Sequence, residues 1–128
     1  MILAINSKRS INLMAVTLFN TQDSVLNFYS GRQVRLTDDE VKTFASKVFE
    51  NIKHLPAIIV LPRAMINLAH VETMVVDEAT KSIEVQFTNR SQSYIADDEN
   101  YEPFVELINK RTGRVTESKI IRIPPDHN

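Results

Sequence analysis

The chain has 128 residues, 43% of them hydrophobic and 24% charged, with a formal net charge of −1; this is the make-up expected of one soluble globular domain, residues 1–128, burying roughly two-thirds of its unfolded surface. Two glycines and no cysteine exclude glycine-rich phosphate loops, disulfides and thiolate chemistry. The near-zero charge excludes a global field that recruits nucleic acid, though not a local basic patch.

The opening "MILAI" has no basic leader, no long apolar stretch and no small-residue cleavage site, so it is read as a strand and not as a signal peptide. Lys8 and Arg9 follow as a small basic cluster. "INLMAVTLF", Ile11 to Phe19, is rich in β-branched and large apolar residues and predicts a strand. After the polar turn "NTQDS", the stretch "VLNFYS" alternates apolar and polar side chains as a half-buried strand does. That alternation sends Phe28 inward and Tyr29 outward, with Arg32 nearby across "SGRQ" and a short strand "VRL" beyond it.

A helix comes next. "TDDE", Thr37 to Glu40, has the T-x-x-E spacing of a capping box, in which Thr37 accepts from a backbone N–H one turn on and Glu40 reaches back. Val41, Phe44, Ala45, Val48, Phe49 and Ile52 then recur at helical spacing, an amphipathic helix of about four turns. "AIIVL", bracketed by Pro56 and Pro62, predicts a buried or edge strand, and its length is far too short to span a bilayer.

The second half repeats this grammar. "INLAHVETMVV", "SIEVQFT" and "SYI" predict three further strands. "ADDE", Ala96 to Glu99, precedes another helix, for which Asn100 is the expected cap, with Pro103 tolerated in the first turn and Gly113 placed to end it. "SKIIRI", Ser118 to Ile123, adds a last strand. Setting "INLMAV" over "INLAHV" aligns Leu26 with Val85, Phe28 with Phe87, Leu36 with Ile95 and Phe44 with Phe104. The expectation is an internal pseudo-repeat, residues 11–53 and 66–112. Six to eight strands, mostly antiparallel or mixed, and two main helices make an α+β fold, either one curved sheet or a small barrel.

Chemistry is harder to find. The acidic triplets lack the alternating oxygens and central glycine of a calcium loop, and carboxylates that complement a helix dipole already account for both. His54, His70 and His127 have no zinc spacing; His70 is expected on the solvent face of its strand, and no serine lies in a nucleophile elbow. These residues point to no enzyme, no catalytic or metal-ligating residue and no cofactor. Charge does cluster: Lys110, Arg111, Arg114, Lys119 and Arg122 face only Glu117 between positions 110 and 122.

The layout as a whole, with "LPRAMINLAHVETMVVDEATKSIEVQF" followed by "ENYEPFVELINK", resembles the PrgU-like proteins of pheromone-responsive conjugative plasmids. That resemblance implies a PUA-like fold and a cytoplasmic regulator that limits production of a plasmid-encoded surface adhesin by acting on its transcript. It implies no catalytic residue. Two expectations stand, and the residues named in them come from the charge pattern and not from the resemblance. In the first, the protein binds RNA through Lys8, Arg9, Arg32, Lys110, Arg111, Arg114, Lys119 and Arg122, with Tyr29 as a base platform. In the second, it is a protein-interaction module that pairs an exposed edge strand, near "AIIVL" or "SKIIRI", with a partner or a second copy of itself.

Overall fold

A computed structural model describes residues 1–110 and 120–123. The fold is α+β, with eleven short strands and two α-helices among the described residues. The first half runs β1 (Ile2–Asn6), β2 (Arg9–Asn12), β3 (Val16–Asn20), β4 (Val25–Phe28), β5 (Gln33–Arg35) and α1 (Asp38–Asn51). The second runs β6 (Ile58–Leu61), β7 (Ala64–Asn67), β8 (Val71–Asp77), β9 (Ser82–Phe87), β10 (Ser93–Ala96) and α2 (Tyr101–Lys110), and β11 (Ile120–Ile123) follows. The strands form a two-stranded sheet β1-β2, a five-stranded sheet β5-β4-β3-β7-β6 and a four-stranded sheet β10-β9-β8-β11. None of these sheets closes into a barrel. Among the described residues every strand pairing is antiparallel except that of β11 with β8.

The two long strands expected at "INLMAV" and "INLAHV" are each bent at a 3-10 turn, Leu13–Ala15 and Leu68–His70. The asparagine is the cause. Asn12 Oδ1 accepts from the Met14 N–H at 3.2 Å, and Asn67 Oδ1 from the Ala69 N–H at 3.0 Å, so the side chain takes a backbone donor that a sheet ladder would otherwise use. Each corner closes alike, with Val16 N–H on the Leu13 carbonyl and Val71 N–H on the Leu68 carbonyl. A bulge follows at Thr17 in β3 and at Glu72 in β8. The recurrence also begins earlier than Ile11: hairpin β1–β2 has its counterpart in β6–β7, and Leu13 N–H bonds the Met1 carbonyl as Leu68 N–H bonds that of Ala57. Further on, Ala96 and not Ile95 takes the place of Leu36. Ala96 and Leu36 are buried, whereas Ile95 is exposed.

Two cores result, each capped by one helix. The first gathers Leu3, Ile11, Val16, Phe19, Leu26, Phe44 and Val48, with the Phe19 and Phe44 rings edge to face at 5.3 Å. The second gathers Val71, Met74, Ile83, Val85, Phe87, Phe104 and Ile108. Hairpin β6–β7 serves both, Ile58 and Met65 entering the first core and Ile59 and Ile66 the second. Phe49, expected to face inward, is exposed at 61%, because the apolar stripe of α1 is narrower than the spacing allowed.

The capping box at Thr37 forms as the sequence predicts: Glu40 N–H donates to Thr37 Oγ1, and Thr37 N–H donates to Glu40 Oε1. The second triplet does not copy it. Asp98–Asn100 is a 3-10 turn, and Asn100 is no helix cap. It is buried, its Oδ1 accepting from Arg63 N–H at 2.9 Å and its Nδ2 donating to the Tyr94 hydroxyl at 2.8 Å.

Candidate nucleic-acid groove

A surface depression of about 880 Å³ lies between the outer edge of β2 and the β4–β5 segment. Lys8, Arg9, Ser10 and Asn12 line one wall, Tyr29, Arg32, Gln33 and Arg35 the other, and His70 reaches in from the second half. No carboxylate is among its lining residues.

Each wall is held in place by identifiable bonds. Glu40, near the start of α1, accepts from Asn6 Nδ2 at 3.1 Å and pairs with Arg9 Nε at 3.0 Å, which fastens the β1–β2 turn to the helix. The opposite loop reverses at Gly31, whose φ of 93° suits a residue without a Cβ, and Phe28 N–H closes it on the Arg32 carbonyl. Within β5, strand alternation puts Gln33 and Arg35 on one exposed face and half-buried Val34 on the other.

Second-half residues steady the same loop. Asn89 Nδ2 donates to the Tyr29 carbonyl at 2.6 Å and Gln92 Nε2 to the Phe28 carbonyl at 2.7 Å. The rings of Tyr29 and His70 stack with centroids 5.1 Å apart and planes 25° from parallel. His70 Nε2 sits 2.6 Å from the Met14 carbonyl; a carbonyl only accepts, so Nε2 carries the proton. Tyr29 is about half exposed, so one edge of a rigid aromatic pair is presented to solvent.

Lys8, Arg9, Tyr29 and Arg32, far apart in sequence, therefore meet in one groove. Lys110 and Arg122 do not line it: Lys110 ends α2, and Arg122 on β11 donates to Asn109 Oδ1. Arg111, Arg114 and Lys119 lie outside the described residues. Arg35, Gln33 and His70 were not anticipated. The alternation of "RQVRL" carried the signal for the first two; His70 depends on a contact across 56 positions. Among the described residues no ion pair engages Lys8, Arg32 or Arg35, and among the same residues no group of three or more histidine and acidic side chains stands close enough to hold a metal ion. No protein-family model, curated protein or solved structure matches the chain. No helix among the described residues is long and apolar enough to cross a membrane.

Glu40 gives the groove wall a pH dependence. Its carboxyl is held below its ordinary value first by the Thr37 N–H, against the opposing effect of burial, and then by Arg9 and Asn6. A carboxylate lowered on folding contributes stability that is present above its ordinary range and lost as pH falls through the lowered value. Thermal melts across pH should find wild type more stable than Glu40→Gln near neutrality, with the gap closing in acid. A gap that ignores pH would remove the carboxylate's charge from this account.

Proposed function

We propose that the protein is a non-enzymatic regulator that binds single-stranded RNA in this groove. The observation carrying the reading is the convergence of Lys8, Arg32 and Arg35, which form no ion pair among the described residues, with a Tyr29–His70 stack whose tyrosine is exposed and with no carboxylate among the described lining residues. Phosphates neutralise such cations, while an unstacked base gains about 1–3 kcal/mol by lying on an aromatic side chain. Gln33, Ser10 and Asn12 supply neutral donors and acceptors to base edges and to the ribose 2′-hydroxyl. A groove between strand edges suits splayed nucleotides better than a regular duplex. The role that the PrgU-like resemblance implies, cytoplasmic control of a plasmid-encoded adhesin transcript, belongs to the same proposal and needs no further chemistry.

Fluorescence-anisotropy titration of labelled RNA and matched DNA tests it. Three phosphate contacts give a logarithmic salt slope of about −2 for a single strand, so affinity should drop roughly 20-fold between about 50 and 200 mM salt. Tyr29→Ala should weaken binding about tenfold with the slope unchanged. Absence of saturable RNA binding at low salt would overturn the reading, and a flat salt response would turn the search to protein partners.

A further inference from the structure

The chain contains one joint between units that is complete and two ends where the same joint is not. In the complete one, β7 pairs antiparallel with β3, Leu18 opposite Ile66, Phe19 opposite Met65 and Asn20 opposite Ala64. Thr21 N–H then bonds the Arg63 carbonyl, and the hairpin's Ile58 and Met65 pack into the preceding unit's core.

Hairpin β1–β2 holds the corresponding place in its own unit, and no described strand lies along its outer edge. Among the described residues β2 pairs only with β1. Ile2, the counterpart of Ile58, is 71% exposed where Ile58 is 4% exposed. Met1 and Met14 extend this bare apolar surface. An unpaired strand edge beside exposed apolar side chains is the form of a strand-addition site. At the other end, β8 is the counterpart of β3, and the matching bulges at Thr17 and Glu72 place Thr73–Val75 where β3 receives β7. There β11 lies instead, in parallel, from Ile120 beside Met74 to Ile123 beside Asp77.

We propose that the missing partner is a second copy of this chain: β2 of one molecule takes the place of β11 on β8 of the next. The internal joint gives the register, with Ile11 opposite Thr73, Ser10 opposite Met74 and Arg9 opposite Val75. Lys8 then falls across from Val76, next to Asp77 and Glu78, so the charges at the two ends are of opposite sign. Each copy offers one open end and one plugged end, so the contact is heterologous and grows head to tail. β11 is the strap that holds the chain monomeric.

Sedimentation velocity over a concentration series tests this with the full chain, a chain ending at residue 117, and Ile120→Asp in the full chain, which unseats β11 from the core it packs against. Wild type should sediment as a monomer. Both variants should at least double in mass as concentration rises and pass beyond the dimer, and adding Ile2→Asp should return them to monomers, because it buries a charge in the joint and touches only an exposed position in the monomer. Circular dichroism reports whether each variant is folded; if the shortened chain is not, Ile120→Asp decides. A folded Ile120→Asp chain that remains monomeric at every concentration overturns the proposal, as does association that survives Ile2→Asp. The edge of β2 in this joint is also one wall of the groove, so association is measured without RNA, where a failure of RNA binding leaves the result untouched.

Discussion

Arg32→Glu combined with Arg35→Glu should lower affinity for single-stranded RNA on the order of a hundredfold. In the proposed complex each arginine would donate to a phosphate a charge-assisted hydrogen bond worth about 1.5 kcal/mol or more, and two together would make about 3 kcal/mol. Reversal also introduces repulsion and leaves Lys8 as the one unpaired cation among the groove's described residues, so the salt slope should shrink to about −0.7. Both side chains are exposed, and neither bonds into the core, so the melting temperature should barely move. Lys110→Glu with Arg122→Glu changes charge by the same amount away from the groove and should leave affinity within about twofold once screening at physiological salt is allowed for. Equal losses from the two double variants would mean that general charge, and not the groove, governs binding.

Replacing Asn67 by alanine should cost about 3 kcal/mol in chemical denaturation, while Asn12→Ala, at the equivalent place in the repeat, should cost about 1 kcal/mol or less. Both asparagines hold a 3-10 corner, but their surroundings differ. Asn67 is 1% exposed, and its Nδ2 also donates to the Val16 carbonyl at 3.0 Å across the joint between halves. Truncation strands that carbonyl where water does not reach, whereas exposed Asn12 gives up a bond that water replaces. Equal costs at the two positions would show that the buried bridge contributes nothing beyond the corner.

The parts of the fold that were legible in the sequence are those decided locally. Thr37 and Glu40 marked the start of α1, and alternation marked β4 and β9, because caps and half-buried strands depend on neighbours a few residues away. The corners at Asn12 and Asn67 read as continuous strand because the apolar pattern is unbroken; one amide two residues from its target redirects the backbone. Asn100 looked like a cap, yet the Arg63 N–H, 37 positions upstream, and the Tyr94 hydroxyl, 6 positions upstream, draw its side chain elsewhere. The groove was legible at Lys8, Arg9, Tyr29 and Arg32 alone, and not as a set. Lys8 and Arg32 come together through the Glu40 clamp and the loop at Gly31, both long-range consequences of packing. Lys110 and Arg122 are the reverse case, for closeness along the chain gives no shared face.

Hairpin β6–β7 sets the order of events as the chain is made. A ribosome that has released only residues 1–54 has produced α1 and every strand of the first half, yet the wall formed by Ile58 and Met65 does not exist. Fourteen residues later the wall is in place, and the same hairpin lines a core whose helix has still to be synthesised. Stable folding therefore waits for most of the chain, and heat should melt both halves in one transition, since neither keeps a complete interior when the hairpin leaves.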